Sequence, residues 1–383
     1  MLDPNAVDVT TPSICYNILT SAATTGATSR NMTNTRATYM KAVVTTGDGG
    51  VVLKTDVLVP TPGPGQILVK VVAAAQNPSE WMTLAFINTP DIVLGRDFAG
   101  IVEEIGPDVP HGLRVVGERV AGFINGAMTK ELGGTFAEYC LAEAQILVTI
   151  PATLSFEDAA GIGLAGFTAC QALWQNQDLP TPLNPTSNPF PILIWGGASA
   201  VGQYAVQLAK LSGLQVITTA SPKNHELLKG LGADAVFDYR DPEVSNKIRQ
   251  FSGDKLAHAV DCIATGDTPA LVSTSFGSDG GYVALVMPGD IPRTDVKGEF
   301  SLVYTLFGKA FDFPMPYPAY PKHFELGKKF GIILNSLLRD ERLKTTPVKL
   351  VPNGLVDAQK WIQYQKDGNV SAEKITYRIG DTL

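Results

Sequence analysis

A turn of small residues between Trp195 and Gln203 has the composition of a phosphate-binding loop. The turn follows a short apolar run and precedes a segment whose apolar residues recur at the spacing of one helical face. Small side chains let a backbone approach a pyrophosphate closely, and the N–H groups at the start of a helix, together with its dipole, hold the anion. The turn therefore predicts a dinucleotide site, although Ser199 stands where the usual three-glycine signature has its central glycine. The residues predicted at the pyrophosphate are Ser199, Ala200, Val201 and Gly202.

The end of the next predicted strand, residues 214–219, distinguishes between the two nicotinamide cofactors. A site that prefers NAD places an Asp or Glu about 20 residues after the glycine turn, where it binds the ribose hydroxyls. This chain instead has Ala220-Ser221-Pro222-Lys223-Asn224, in which no carboxylate would repel a 2′-phosphate. Ser221 and Asn224 can donate hydrogen bonds, Lys223 supplies charge, and Tyr239 after the third strand could cover the same ribose. We therefore predict NADPH as the cofactor; the alternative is a solvated lysine in a polar loop.

Length and composition are those of a globular protein with more than one domain. The 383 residues are 45% apolar and 17% charged, which is an ordinary balance for a folded chain. A formal charge of −7 argues against a nucleic-acid or anionic-membrane surface, and no apolar run reaches the roughly 18 residues that a membrane helix needs. Four scattered cysteines and only four histidines argue against a structural zinc site. They are typical of free thiols in a reducing compartment, so we expect a cytoplasmic protein.

Strand and helix signals divide the chain into four parts. Residues 1–38 are rich in Thr, Ser, Ala and Asn and are predicted to be a disordered tail. Residues 39–175 contain short strands ended by Gly and Pro, which predict a small irregular β-barrel, and then a helix over residues 155–174. Residues 190–310 alternate strands and helices as in a doubly wound parallel sheet, and residues 311–383 follow. Two of the predicted barrel strands span residues 114–123 and 134–141.

Four segments together resemble the landmarks of one superfamily. They are Gly95-Arg96-Asp97-Phe98-Ala99-Gly100, Gly117-Glu118-Arg119-Val120-Ala121-Gly122, Gly134-Thr135-Phe136-Ala137-Glu138-Tyr139 and Val370-Ser371-Ala372-Glu373-Lys374. In this combination the chain is similar to the medium-chain dehydrogenase/reductases over residues 40–383. The resemblance implies an α/β fold with two domains. A GroES-like β-barrel catalytic domain, residues 39–175, would be completed by a return segment, residues 311–383, and joined to a Rossmann NADPH-binding domain, residues 190–310.

Within this superfamily the chain resembles the zinc-free branch. Zinc alcohol dehydrogenases carry a Cys where this chain has the turn 76–79, and a His-Glu pair where it has Arg96-Asp97. We therefore expect no catalytic metal, and a reaction that proceeds without a metal Lewis acid. The quinone reductases and the enoyl reductases remain as related groups.

Three segments look most like the fungal trans-acting enoyl reductases, which serve polyketide synthases whose own reductase domain is inactive. These segments are residues 77–81, 195–199 and 221–224. One difference is Met82, because that group often has Lys just after the Asn-Pro turn. The resemblance implies hydride transfer from NADPH to the β-carbon of an α,β-unsaturated thioester on a partner polyketide synthase or hybrid synthetase.

The resemblance also implies site residues. Thr168 would lie near the nicotinamide and orient it or the thioester oxygen, unless it is an ordinary helix residue. Further implied cofactor contacts are Ser79, Glu80, Trp81, Met82, Leu285, Val286, Val370 and Ser371. Implied substrate contacts, which would otherwise be core residues, are Ala169, Cys170, Leu173, Trp174, Thr305, Leu306, Phe307, Gly308 and Lys309. Candidate proton donors are water, Tyr304, Tyr317 and Tyr320.

Two other functions stay open at this stage. A stand-alone zinc-free quinone or enone oxidoreductase would share the fold and the cofactor and differ in its substrate. A nucleotide-sensing binding protein would bind NADPH without turning over any enone or enoyl thioester. The sequence is compatible with a monomer or a homodimer.

Overall fold

The computed structural model describes residues 38–131, 133–313 and 315–383. The tail predicted for residues 1–38 lies, except for Thr38, outside the described residues. The strands are β1 Tyr39–Thr45, β2 Val51–Leu58, β3 Gln66–Ala75, β4 Asp97–Ile105, β5 Arg119–Phe123, β6 Tyr139–Glu143, β7 Val148–Thr149, β8 Pro191–Trp195, β9 Gln215–Thr219, β10 Ala235–Phe237, β11 His258–Asp261, β12 Gly281–Leu285, β13 Val296–Phe300, β14 Phe311–Phe313, β15 Met315–Tyr317, β16 Val348–Val351 and β17 Lys374–Arg378. The α-helices are α1 Pro78–Leu84, α2 Phe156–Ala159, α3 Gly163–Cys170, α4 Ala200–Leu211, α5 His225–Gly230, α6 Val244–Phe251, α7 Thr268–Ser275, α8 Pro321–Arg339 and α9 Ala358–Lys366.

Six parallel strands form the nucleotide-binding sheet, in the order β10-β9-β8-β11-β12-β13. Every residue of β8 is buried, because alternate side chains enter two different cores. Ile192 and Ile194 pack in the core that contains α4, whereas Leu193 and Trp195 pack in the core that contains α6 and α7. The strand order reverses between β8 and β11, and ligands of open α/β sheets bind outside the carboxyl ends of the strands at such a switch point. The predicted doubly wound sheet is confirmed.

A second sheet of seven strands has the order β16-β17-β3-β4-β5-β7, with β6 paired to β3. β3 is the central strand of this sheet and pairs antiparallel with three others, β4, β6 and β17. The pairing of β17 with β3 sets Tyr377 opposite Ala74. The C-terminal segment of the chain therefore belongs to the same sheet as β3, which comes early in the sequence. β1 and β2 form a separate antiparallel ribbon.

Two predicted strands are shorter in the structure than the sequence pattern indicates. Of residues 114–123, only Arg119–Phe123 form a strand, because the chain first turns at Gly117, whose φ of +88° is a left-handed value that suits glycine. Of residues 134–141, only Tyr139 onward is a strand. A Cβ at Gly134 would lie 2.2 Å from the Val93 carbonyl oxygen, so this stretch serves close backbone contact instead.

The helix predicted over residues 155–174 is divided into α2, α3 and a π-helical turn, Gln171–Gln175. Ser155 caps α2 as predicted, since its Oγ accepts a hydrogen bond from the Asp158 N–H at 3.0 Å. The break lies where the chain passes close to two strands. A Cβ at Gly161 would lie 2.9 Å from Lys374 Cγ, and one at Gly163 would lie 2.3 Å from the Gly122 backbone.

Two kinds of feature are not seen in the part of the chain that the structure describes. No helix there is long and apolar enough to cross a membrane. No group of three or more His, Cys, Asp and Glu side chains there stands together as a metal-ion site.

Candidate functional site

Helix α4 begins directly after the predicted phosphate-binding turn. Ser199 is its N-cap, and the Ser199 Oγ accepts a hydrogen bond from the Gly202 N–H at 3.0 Å. The N–H groups of Ala200 and Val201 lie in the first turn of this 12-residue helix, where no helical carbonyl precedes them. They are donors for an anion, and the positive end of the helix dipole lies at the same place.

Two glycines let the backbone of this turn pack closely. A Cβ at Gly197 would lie 2.1 Å from Thr218 Oγ1, and one at Gly202 would lie 2.3 Å from the Gly196 carbonyl oxygen. Neither position has room for a side chain. The turn therefore fits a dinucleotide pyrophosphate by its bare backbone and its helix start together.

Hydrogen bonds bring three predicted cofactor segments together. Asn224 Nδ2 lies 3.4 Å from Ser221 Oγ and 3.4 Å from Ser371 Oγ. Gln203 Nε2 donates to the Ala198 carbonyl at 3.2 Å and to the Ala372 carbonyl at 3.3 Å. The glycine turn, the loop after β9 and the segment before β17 consequently form one edge. The neighbouring Val370 is half-buried.

The residues predicted to meet a 2′-phosphate lie in and after a short 3₁₀ turn, Pro222–Asn224. Lys223 is exposed, and within the described residues it makes no hydrogen bond or ion pair. Tyr239 follows β10 and is 48% exposed. The Arg240 guanidinium, which the sequence pattern does not single out, lies 5.7 Å from the Tyr239 ring centre but is paired with Asp238 at 3.0 Å. Lys223 is therefore the cation at this loop that is free to bind a phosphate.

The ends of β11 and β12 are joined by a hydrogen bond next to the switch point. Leu285 ends β12, and the Val286 N–H donates to the Asp261 carbonyl at 3.2 Å. The buried Asp261 carboxyl accepts from the Ile263 and Ala264 N–H groups at 3.0 and 2.8 Å. Asp261 is a positioning residue that sequence patterns did not identify, and it fixes the loop beside the predicted nicotinamide contacts.

Helix α1 carries four predicted cofactor contacts, and one of them, Glu80, differs from the others in its burial. Glu80 is fully buried. Its Oε2 accepts from the Asn77 N–H at 2.6 Å and forms the helix cap, and its Oε1 lies 3.6 Å from Arg96 Nη1. Glu80 therefore belongs to the interior in this structure, and its contact with a cofactor stays a prediction. The other three, Ser79, Trp81 and Met82, are half-buried, and their contact with a cofactor stays a prediction.

A buried ion pair joins β4 to β17. Lys374 Nζ lies 3.0 Å from Asp97 Oδ2 and donates to Asn77 Oδ1 at 2.5 Å. Asn77 Nδ2 donates to Asp97 Oδ2 at 2.9 Å, and Asp97 Oδ1 accepts from the Leu164 N–H at 2.6 Å. The network thus holds together α1, α3, β4 and β17, which carry or adjoin the predicted site residues.

Two family models match this chain. The alcohol dehydrogenase GroES-like domain matches residues 63–152, and the zinc-binding dehydrogenase family matches residues 200–303. A trans-enoyl reductase from Alternaria alternata is 40% identical over 343 residues, which cover 88% of this chain and 98% of that protein. A trans-enoyl reductase from Cochliobolus carbonum is 37% identical over 298 residues, covering 77% of this chain and all of that protein. The chain belongs to the trans-enoyl reductases.

A solved structure supports the fold of this trans-enoyl reductase. A putative zinc-dependent alcohol dehydrogenase protein from Rhizobium etli is 27% identical, with a TM-score of 0.71, and the match covers 88% of this chain and 97% of that one. The predicted medium-chain dehydrogenase/reductase fold, with its GroES-like and Rossmann parts, is confirmed. The predicted oxidoreductase of the enoyl reductase class is confirmed as well, and the family implies a nicotinamide cofactor.

In this trans-enoyl reductase Thr168 lies in α3, where its Oγ1 donates to the Leu164 carbonyl at 2.7 Å. A hydroxyl has one hydrogen, so in this arrangement Thr168 cannot also donate to a thioester oxygen. Its lone pairs remain available to an N–H donor. The predicted role at the nicotinamide stays a prediction, and only an accepting role fits this geometry.

The predicted substrate contacts of α3 and the π-helical turn are core residues in this structure. Ala169 and Cys170 are fully buried, and Leu173 is 1% exposed. Trp174 is 7% exposed, and its Nε1 donates to the Pro180 carbonyl at 3.1 Å. Burial also raises the pKa of the Cys170 thiol. These four residues thus pack in the core, and their contact with a substrate stays a prediction.

The second predicted substrate group, residues 305–309, is mixed. Leu306 is buried, and Thr305 Oγ1 donates to the Leu302 carbonyl at 2.9 Å. Phe307 is half-buried, and Gly308 ends the 3₁₀ turn with a φ of +71°. Lys309 is exposed and lies 3.1 Å from Glu143 Oε2. Phe307 and Lys309 therefore remain accessible to a ligand, and their substrate contact stays a prediction.

The buried carboxyl of Glu80 makes stability depend on pH. Burial raises the pKa of Glu80 to about 7, although Arg96 and the Asn77 N–H act to lower it. An unfolded Glu titrates near about 4.3, so between these values the native state holds a proton that the unfolded state has lost. The free energy of unfolding should therefore fall as pH rises from about 4.5 to about 7. Glu80→Gln, which stays neutral, should remove a fall on the order of 3 kcal/mol.

Urea unfolding between about pH 5 and about pH 8 checks this for both proteins. Glu226→Gln is the matched control, because Glu226 is exposed and pairs only with Lys229 at the surface. It should leave the wild-type pH profile unchanged. Parallel profiles for wild type and Glu80→Gln would show that Glu80 does not titrate in this range.

Proposed function

We propose that this protein uses NADPH to reduce the carbon–carbon double bond of an α,β-unsaturated acyl thioester that a partner polyketide synthase or hybrid synthetase carries. The observation that carries the proposal is the common edge of the glycine turn, the loop after β9 and the segment before β17, held by Asn224 and Gln203. It fits a phosphorylated dinucleotide in a member of the trans-enoyl reductases. The relatives named trans-enoyl reductases support the acyl substrate and the partner.

Different parts of the protein would have different roles in such a reaction. When bound, the nicotinamide supplies a hydride, which adds to the β-carbon, while the electrons of the double bond move to the thioester oxygen and a proton is then added at the α-carbon. Ala200 and Val201 would hold the pyrophosphate by their N–H groups, and the ends of β11 and β12 would lie beside the nicotinamide, next to the switch point. Electrostatic stabilisation of the enolate oxygen needs a hydrogen-bond donor.

The preference for NADPH follows from the charge of the loop after β9. Lys223 is exposed and has no partner among the described residues, and no carboxylate occupies positions 220–224. The nearest acid in sequence is Glu226, whose Oε1 lies 2.9 Å from Lys229 Nζ. A 2′-phosphate would thus meet an unpaired cation, whereas the two hydroxyls of NADH would gain little from it.

Lys223→Glu is expected to raise the KM for NADPH by about tenfold to hundredfold, because it replaces an attractive charge by a repulsive one. The KM for NADH should change by less than about threefold, since no phosphate meets the new carboxylate. Steady-state rates at varied NADPH and NADH measure both constants. Lys229→Glu is the matched control at a neighbouring exposed lysine that already pairs with Glu226, and it should change neither constant appreciably. Equal increases for both cofactors in Lys223→Glu would contradict a phosphate contact.

The substrate class is tested by following NADPH consumption with enoyl-pantetheine thioesters and, in parallel, with small quinones. We expect turnover of the thioesters, and faster turnover when the same acyl group is presented on a carrier protein. Turnover of quinones alone would favour a stand-alone quinone or enone oxidoreductase. NADPH binding without turnover of either class would contradict an enzyme of this kind.

A further inference from the structure

Several polar groups beside α1 have no hydrogen-bond partner although they are buried. Ser79 Oγ, Glu80 Oε1 and both Nε and Nη1 of Arg96 make no hydrogen bond within residues 38–131, 133–313 and 315–383. Arg96 Nη2 donates to Thr83 Oγ1 at 2.6 Å and lies 3.9 Å from Met128 Sδ, and Arg96 Nη1 is ion-paired with Glu80 Oε1 at 3.6 Å. Buried polar groups in native proteins are nearly always hydrogen-bonded. Ser79 Oγ and Arg96 Nε, which have neither a hydrogen bond nor an ion pair among the described residues, therefore indicate a polar atom that binds beside α1.

Tyr304 completes this polar cluster, which we define as Ser79, Glu80, Arg96 and Tyr304. Its ring centre lies 5.8 Å from Arg96 Cζ. Burial raises the pKa of its phenol to about 12, while Arg96 and Ser79 act to lower it. The phenol is consequently protonated at neutral pH and can donate a hydrogen bond, and the Arg96 guanidinium lies over its ring. Ring contacts with Phe123 and Phe313, at 6.5 and 5.4 Å between centres, hold Tyr304 in place.

The charges of the cluster favour an oxygen that accepts hydrogen bonds. The Arg96 guanidinium has N–H groups on Nε and Nη1 that make no hydrogen bond within the described residues. The facing Glu80 carboxyl has a pKa raised to about 7, so near neutral pH it offsets the positive charge of Arg96 only in part. Arg96 can only donate, and the Ser79 and Tyr304 hydroxyls can each donate one hydrogen, so the cluster is rich in donors. An oxygen on which negative charge develops suits this arrangement better than a cation or an N–H donor.

Thr168, which is expected to orient the nicotinamide or the thioester oxygen, has no hydroxyl hydrogen left to donate to that oxygen. Thr168 Oγ1 donates its hydrogen bond to the Leu164 carbonyl at 2.7 Å. Arg96, by contrast, is buried with its Nε unpaired and its Nη1 hydrogen-bonded to nothing among the described residues, although Nη1 is ion-paired with Glu80 at 3.6 Å; a low local dielectric makes a charge-assisted hydrogen bond strong there. Ser79 is half-buried and is the member of the cluster nearest to solvent, so it marks the side from which a ligand would enter.

We propose that Arg96 and Tyr304, with Ser79 at the outer edge, bind the thioester carbonyl oxygen of the acyl substrate and stabilise the enolate that forms on it. This inference rests on the proposed function, because it assigns the oxygen of that substrate to this cluster. The competing occupant is an internal water with the same hydrogen-bonding chemistry. The two differ in one respect: only a substrate oxygen couples the cluster to the rate of reduction.

The first test compares Tyr304→Phe and Arg96→Lys with wild type in the NADPH-dependent reduction of an enoyl-pantetheine thioester. Removing one donor to a developing oxyanion should lower kcat by about 100-fold for each variant, with the KM for NADPH unchanged. Tyr304→Phe keeps the aromatic ring, and Arg96→Lys keeps a cation opposite Glu80, so both should fold. The thermal midpoint by circular dichroism verifies this. Tyr364→Phe is the matched control, because Tyr364 is a half-buried tyrosine of α9 whose ring contacts Trp361 at 5.0 Å and which has no predicted part in the site. It should keep the wild-type kcat.

The second test needs neither cofactor nor turnover. Acetoacetyl-pantetheine ionises to an enolate that absorbs in the ultraviolet, so titration of the bound thioester reports how strongly the protein favours the enolate. Wild type should lower the pKa of the bound ligand by at least about one unit, and Tyr304→Phe and Arg96→Lys should lose most of that shift. A residue with only a structural role would not change this pKa.

The outcomes separate this inference from the proposed function. If wild type reduces no enoyl thioester, the proposed function fails, while the enolate titration still decides what the cluster binds. If wild type reduces the thioester and both folded variants keep kcat within about twofold, the cluster holds water and the inference is overturned. An unshifted pKa for acetoacetyl-pantetheine bound to wild type would overturn it equally.

Discussion

Replacing Lys374 with methionine is expected to lower the free energy of unfolding by about 3–5 kcal/mol, because it leaves a buried carboxylate without its cation. Asp97 is fully buried, and Lys374 Nζ lies 3.0 Å from its Oδ2. Methionine keeps most of the unbranched side-chain stem that contacts Gly161, so the change removes the charge more than the volume. Urea unfolding at neutral pH measures the loss.

Two comparisons make the Lys374 result specific. Lys229→Met removes an exposed lysine that pairs with Glu226 at 2.9 Å, and it should cost less than about 1 kcal/mol. The double variant Lys374→Met with Asp97→Asn should be more stable than Lys374→Met alone, because the uncompensated charge is gone. A loss below about 1 kcal/mol in Lys374→Met would show that Asp97 does not depend on this cation.

The nucleotide-binding half was predictable because its signals are local. The buried run at β8, the small turn and the helical spacing that begins at Val201 lie within about 20 consecutive residues, and each element follows from its own side chains. Ser199 illustrates this, since its Oγ caps the helix that its own neighbours form. The edge strand β13 was not predicted, because Lys297, Gly298 and Glu299 interrupt any apolar run.

The interior beside α1 was not predictable in the same way. Asn77 and Lys374 are 297 positions apart in sequence, and nothing in either segment indicates that they touch. The resemblance places Glu80 on a helix near the cofactor. In the structure the Glu80 carboxyl faces Arg96, which directly precedes β4, and the sequence of α1 alone does not indicate this contact. Tertiary contact therefore decides whether a polar residue at such a position meets a ligand or the core.

The same reasoning explains the substrate residues. The segment 169–174 is apolar enough both for a core and for an acyl cleft, so its sequence pattern leaves the two roles open. Burial of Ala169, Cys170 and Leu173 assigns them to the core here, and the close contacts at Gly161 and Gly163 explain how the chain reaches that position. Partly exposed positions nearby, such as Phe307, are the better candidates for acyl contact.

Gly202→Ala is expected to raise the Kd for NADPH by about 100-fold, which corresponds to about 2.7 kcal/mol. The added Cβ would lie 2.3 Å from the Gly196 carbonyl oxygen and 2.7 Å from Gly197 Cα, and neither is the end of a flexible side chain. The turn must therefore move away from the start of α4, which holds the N–H groups of Ala200 and Val201. Each hydrogen bond to a charged phosphate contributes about 1.5–3 kcal/mol, so losing one or two accounts for the expected change.

Calorimetric titration with NADPH measures this loss, and circular dichroism shows whether the variant remains folded. Gly230→Ala is the matched control, because Gly230 ends α5 and a Cβ there would meet nothing within 4 Å. That change should leave the Kd unaltered and raise stability by up to about 1 kcal/mol, since alanine favours a helix over glycine. If folded Gly202→Ala binds NADPH within about threefold of wild type, the pyrophosphate does not rest on this turn, because even one lost hydrogen bond to a charged group would cost more.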